Sequence, residues 1–318
     1  MDLSYLLWLQ GIRESLPGFV EQFFVIVSAI AASSALVVIP CLLYWCFNKR
    51  AGEFLVFSFC ISIFVTNLVK SIVCCYRPWM RSADIHPAEG ALKEATGYSF
   101  PSGHSSTASS LFGGMGWYWR NKSRIFSVLC WVFVLLVAFS RNFLGVHTPQ
   151  DVIVGVLIGC VAIFASQALL GWVDKGRGRD NVVFVVGLLA SIAFIIISLV
   201  KPYPLDYNEA GALLADPYQM QTDCFKSAGA ILGAIIGWYL ERRFVNFDVS
   251  PRMSGKQILI RILVGGLALG VFFVLSMPLK PILDYRWYEL IKYILIIMGA
   301  MFVGPFAFTK VEERMGVA

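Results

Sequence analysis

Long apolar runs separated by short polar segments make up most of this chain. A helix crossing a bilayer core needs about 20 predominantly apolar residues, so each such run is a candidate span. The strongest are Phe23–Phe47, Val152–Val173, Val182–Val200 and Ile262–Leu279. Phe54–Cys75, His104–Trp119, Ile125–Ser140 and Tyr293–Thr309 are weaker, and Ser227–Leu240, short and glycine-rich between Lys226 and Glu241, is the weakest. Together they predict an all-α fold, a polytopic membrane bundle of nine transmembrane helices. Ahead of them, Asp2, Arg13, Glu14 and Glu21 interrupt Leu, Trp and Phe. That mixture predicts an amphipathic N-terminal helix in the membrane interface, not the basic-then-apolar pattern of a cleavable signal.

Composition agrees with a membrane chain. Of 318 residues, 58% are hydrophobic and 14% charged, and the mean hydropathy is +0.72. A soluble domain of this size needs more charged surface. The net charge of +6 is scattered in short basic clusters, a pattern that orients membrane helices and argues against a nucleic-acid partner. The eight cysteines lie mostly inside apolar runs without a CxxC pair, so they read as small buried hydrophobes.

Basic loops favour the cytoplasm. With nine spans and the amino terminus outside, Lys49–Arg50, Arg120/Lys122/Arg124, Lys175/Arg177/Arg179, Arg242/Arg243/Arg252/Lys256 and Lys310/Arg314 all face inward. The outer loop from Lys201 to Lys226 carries Asp206, Glu209, Asp216 and Asp223. Dropping the weakest span would carry the Arg242–Lys256 cluster outside, which favours nine. Glycines 229, 233 and 237, and likewise 266 and 270, recur every four residues and predict close helix packing in lipid.

Three polar stretches remain, and this topology places all of them on the outer face. They are Lys70 to Arg77-Pro78, Pro101-Ser102-Gly103-His104, and Ser140-Arg141 to His147 and Asp151. Lys70 interrupts an apolar run, where a charge usually faces a protein interior or a watery cavity; the plainer reading is a lysine snorkelling from a helix end. Ser102 is placed to cap a helix beginning at Gly103, whose free N–H groups suit an anion. His147 precedes Thr148-Pro149, a cap and first helical residue. Asp151, at the third helical position, reads first as a dipole and capping-box partner, and functionally as the acceptor for His147 Nδ1–H. Arg141 alone would be a carboxy-terminal dipole partner, and His86 reads as an exposed bystander. Three cations, two histidines and a carboxylate together suit a phosphate ester, which carries about −1.5 to −2 charge at neutral pH. No acidic cluster has metal-ligand spacing, so neither metal nor other cofactor is expected.

These stretches resemble the signature of the type 2 phosphatidic acid phosphatase superfamily, the lipid phosphate phosphatases. That pattern is Lys, six residues and Arg-Pro; Pro-Ser-Gly-His; and Ser-Arg, five residues, His, three residues and Asp. Every fixed position is matched, between about Phe54 and Val173. The resemblance implies His147 as nucleophile through a phosphohistidine, Asp151 orienting it, and His104 as general acid. It implies Lys70, Arg77, Ser102, Gly103 and Arg141 as the phosphate-binding set. It also implies a phosphatase core over residues 1–200, with a C-terminal extension over 201–318 beyond the six spans of many members. The extension is read as a lipid gate, a homodimer surface or added bulk. The expected substrate is a lipid phosphate or isoprenoid diphosphate, met among membrane lipids at an extracytoplasmic site. The short polar loops suit a bacterial plasma membrane. A glucose-6-phosphatase-like enzyme for a water-soluble ester and a non-catalytic transporter are the alternatives, and a haloperoxidase does not suit so hydrophobic a chain.

Overall fold

The computed structural model describes residues 3–208, 210–250 and 253–316, with the side chains of residues 34 and 35 excepted. Asp2, Glu209 and Arg252, which entered the reading of charge, lie outside the described residues. The chain is all-helical, and its contacts group into two compact units. One contains Met1–Leu36, Ile61–Ala165 and Val200–Gln221; the other contains Val37–Cys60, Ser166–Leu199 and Thr222–Ala318.

Among the described residues, six helical segments are long and apolar enough to cross a membrane: Lys49–Arg81, Arg124–Phe143, Pro149–Asp174, Arg179–Val200, Gly255–Leu279 and Tyr285–Arg314. The other three expected spans fall on shorter or more polar helices. The run from Phe23 to Phe47 breaks after Ala32, where Ser33 turns extended, and resumes as Val38–Phe47. Ser33 can bind nearby backbone groups and compete with helix propagation there. Residues 103–118 form one short rod with a π-helical turn at Ser109–Gly113. The glycine-rich run lies inside Pro217–Phe244, a helix of 28 residues with charged ends.

Several helices extend past their apolar runs because the charges at their ends are paired. In the second unit Arg261 grips Glu312 through Nε and Nη2 at 2.7 and 3.1 Å, and it also donates to Trp45 O at 2.7 Å. Lys49 meets Glu241 at 2.8 Å, and Lys292 meets Glu289 at 2.6 Å. Such pairing lets a charge enter the bundle that would be costly alone, most completely at Glu312, where both carboxylate oxygens are used.

The glycine expectation divides. A methyl group on Gly229 would lie 2.4 Å from Leu290 O, on Gly233 2.7 Å from Ile294 O, and on Gly237 2.8 Å from Met301 Cβ. Those three let two backbones approach closely, as read from the sequence. A methyl on Gly266 or Gly270 would have nothing within 4 Å, and the tight approach falls one residue earlier, where a methyl on Gly265 would lie 2.8 Å from the Trp45 ring. The spacing was correct for a seam, but the face was misassigned.

In the first unit, helix Ser4–Ser15 packs into the fold. It buries Leu6, Leu9 and Arg13, and Arg13 donates to Phe143 O at 3.2 Å and to His86 O. Leu9 joins Ala88, Ala91, Phe143, Leu144 and Val146 in a small core. The chain segments that carry the signature residues are thereby held together.

Alanine substitutions should separate the two glycine sets. Gly229→Ala and Gly233→Ala are expected to cost about 1–3 kcal/mol through overpacking. Gly266→Ala and Gly270→Ala are expected to be neutral or stabilising by up to about 1 kcal/mol, because alanine is the better helix former. Melting of the four variants in one detergent checks this; equal losses in all four would contradict the seam.

Candidate active site

The signature residues all lie in the first unit. Helix Pro149–Asp174 starts where the sequence says it should. Thr148 N–H donates to Asp151 Oδ2 at 2.7 Å, and Asp151 N–H donates back to Thr148 Oγ1 at 3.4 Å. This reciprocal cap is the plainer role expected of Asp151. It also aims the carboxylate at His147, whose Nδ1 is 3.5 Å from Oδ2.

The orienting hydrogen bond is less direct than the sequence suggests. Ser99 Oγ–H donates to Asp151 Oδ2 at 2.7 Å, and the same oxygen lies 3.3 Å from His147 Nδ1. With its proton committed to Asp151, Ser99 can only accept from the imidazole, which assigns the proton to Nδ1 and the lone pair to Nε2. Arg77 Nη1 stands 2.8 Å from that Nε2. The backbone secures the ring as well: His147 N–H donates to Arg141 O at 3.2 Å, and Asn142 Nδ2 donates to His147 O at 2.9 Å. The ring is almost wholly buried. Burial, reinforced by Arg77, Arg141, Lys70 and His104, holds its pKa well below the usual histidine value. His147 is therefore neutral near pH 7.

The cations differ in how completely they are used. Arg77 is buried with every guanidinium nitrogen engaged, donating to Gly97 O at 3.1 Å, Thr96 O at 2.7 Å and Val146 O at 3.1 Å. Lys70 is buried and donates to Tyr98 O at 2.6 Å. Arg141 has no solvent exposure; its Nη1 donates to Ser28 Oγ, while Nε and Nη2 find no acceptor among the described residues. A buried guanidinium left half-unpaired is expensive. It fits a site whose acceptor arrives as an anion.

The Pro101-Ser102-Gly103-His104 stretch docks on the same helix start. Ser102 N–H donates to Asp151 O at 2.8 Å, and Ser102 caps helix Gly103–Ala108. A methyl on Gly155 would lie 2.5 Å from Ser102 O, and one on Gly159 2.4 Å from Ser109 Cβ. Only a bare backbone at 155 and 159 allows this approach. Around Gly103 the space is open, with nothing within 4 Å of an added methyl. His104 Nε2 is 3.2 Å from Glu94 Oε2. His86 is exposed and engages its neighbours through its backbone, as expected of a bystander. Among the described residues, no three His, Cys, Asp or Glu side chains gather where they could hold a metal ion.

A family model described as the PAP2 superfamily matches residues 52–174, and one described as a PAP2 superfamily phosphatase transmembrane extension matches residues 225–314. The chain belongs to the PAP2 superfamily. It is similar to an undecaprenyl-diphosphatase of Sulfolobus acidocaldarius, 32% identical over 37% of this chain and 55% of that protein. It is also similar to a dihydrosphingosine 1-phosphate phosphatase of Saccharomyces cerevisiae, 22% identical over 78% of this chain and 60% of that protein. The chain thus spans little more than half the length of these curated relatives. No solved structure matches.

Within this PAP2 chain the structure adds residues that the sequence reading missed: Ser99 and Glu94 beside the two histidines, Ser28 on Arg141, and Gly155 and Gly159 under Ser102. The four-residue spacing of the two glycines was the one available signal. Ser99, Glu94 and Ser28 are common residue types with no local pattern to mark them.

The hydrogen bond with His104 holds the Glu94 carboxyl below its ordinary value of 4.5. Stability from this contact is therefore present above that ordinary value and is lost as pH falls through the lowered one. Glu94→Gln should melt below wild type at pH 7, and the difference should close on acidification. A difference that does not vary with pH would contradict the pairing.

Proposed function

We propose that this chain is a membrane phosphatase that hydrolyses a lipid phosphate or isoprenoid diphosphate through a phosphohistidine on His147. The observation that carries the reading is Arg141, a buried cation with two idle guanidinium nitrogens next to the loop that holds a neutral, Nδ1-protonated His147. Phosphoryl transfer asks chiefly for positioning and for charge stabilisation. Lys70, Arg77 and Arg141 supply three positive charges, enough to meet a phosphate dianion without metal, and the backbone around Ser102 and Gly103 supplies an approach.

In the proposed sequence, Arg77 Nη1 turns from His147 Nε2 to the incoming phosphate. The Nε2 lone pair attacks phosphorus, the bond to the leaving oxygen breaks, and His104, entering as an imidazolium beside Glu94, gives its proton to that oxygen. Asp151, through Ser99, stabilises the charge that develops on the imidazole. Water, deprotonated by His104, then attacks phosphorus, and the N–P bond breaks to release phosphate and regenerate His147. Glu94 keeps His104 oriented.

Loop charge supports an extracytoplasmic site, and the short polar loops suit a bacterial plasma membrane. The two relatives, named for a polyprenyl diphosphate and a phosphorylated sphingoid base, support a lipid substrate. We assign the chemistry to residues 1–200 and treat 201–318 as an accessory extension that shapes lipid access or a homodimer surface.

Purified full-length protein in detergent, with a metal chelator present, is expected to release phosphate from undecaprenyl diphosphate, dihydrosphingosine 1-phosphate or phosphatidic acid well ahead of glucose 6-phosphate. His147→Ala should abolish release, and His104→Ala should slow it by about 10²–10⁴-fold. Equal turnover of glucose 6-phosphate, or an active His147→Ala, would overturn the assignment.

A further inference from the structure

The second unit contains a cavity of about 840 Å³ that the proposed chemistry does not use. It lies where three helix ends meet: the carboxy ends of Pro149–Asp174 and Pro217–Phe244, and the amino end of Arg179–Val200. Lys175, Arg177, Arg242 and Arg243 line it, with Asp174 and Asp180 as the acidic members.

Both acids are already neutralised. Asp174 pairs with Arg50 at 2.5 Å, and Asp180 with Arg243 at 3.1 Å. Lys175, Arg177 and Arg242 form no ion pair among the described residues, so the cavity keeps an excess of about three positive charges. The loop that presents two of them is braced. Arg179 donates to Trp172 O at 2.8 Å, and its guanidinium lies over the Trp172 ring. Arg179 also fills the space a side chain at Gly176 would need, while Gly178, at φ +77°, makes the reverse turn into the next helix. On the opposite wall Arg243 donates to Asn181 Oδ1 at 2.7 Å, and Arg242 rests on Trp238. Some arginines thus shape the site while other cations face it unmatched.

We propose that this pocket binds the phosphate-bearing headgroup of an anionic phospholipid at the basic surface of the membrane. Its position at the ends of apolar helices puts it at headgroup depth. Its volume exceeds what inorganic phosphate needs, and basic pockets between helices suit anionic headgroups. The inference is independent of the active site.

Native mass spectrometry of the full-length protein, offered phosphatidylglycerol or phosphatidylcholine, tests it. Phosphatidylglycerol carries a phosphodiester, so it is not confused with a monoester substrate. Wild type should retain phosphatidylglycerol and not phosphatidylcholine. The double variant Lys175→Glu plus Arg177→Glu should weaken retention at least about tenfold. Arg242→Gln, on another helix, should weaken it in the same direction, and His147→Ala should bind like wild type. Undiminished retention in both pocket variants, equal retention of phosphatidylcholine, or full displacement by equimolar inorganic phosphate would each overturn the proposal.

Discussion

Arg141 sets the terms for the first unit. Its side chain is withdrawn completely from solvent, yet two of its guanidinium nitrogens have no acceptor among the described residues. In a protein interior an ion left unpaired costs several kcal/mol, so its persistence implies that something else in the fold outweighs it. The surrounding structure accounts for the position. Arg141 lies in the last turn of its helix, its carbonyl accepts from Val146 and His147, and Ser28 anchors one guanidinium nitrogen. The charge and the imidazole are fixed by the same turn.

Asp151 shows how economical this arrangement is. One carboxylate oxygen closes a helix cap with Thr148 and receives the Ser99 hydroxyl, so the start of the helix and the tautomer of His147 depend on one atom. Its other oxygen, Oδ1, is buried without a partner among the described residues. Gly155 and Gly159 then let the Ser102 backbone settle onto the same helix. Local capping chemistry, followed by small-residue packing, brings residues far apart in the sequence to one place.

The membrane class, the helical fold and the signature residues were legible in the sequence because each leaves a local mark: an apolar run, a cap, a fixed spacing. The missed features are those in which a local mark is ambiguous. Phe23–Phe47 reads as one span by hydropathy, but the helix ends at Ala32, where Ser33 turns extended. Gly266 and Gly270 share the spacing of Gly229 and Gly233, but spacing does not say which face meets a neighbour, and Gly265 makes that contact. Glu241 looked like the edge of the glycine-rich run because its partner, Lys49, neutralises it only once the fold exists. Ser99 could not be anticipated, since its role arises from the tertiary path of residues 76–103.

Both proposals rest on the same electrostatic reasoning, applied to two regions treated separately: where a fold leaves positive charge unmatched, it is suited to an anion. For the first region the anion is a phosphoryl group that becomes covalently attached, which is directly observable. Protein reacted briefly with a ³²P-labelled lipid phosphate and quenched in alkali should carry label that is stable to base, lost in acid and mapped to His147. Acid-stable label, or label that persists in His147→Ala, would contradict the account.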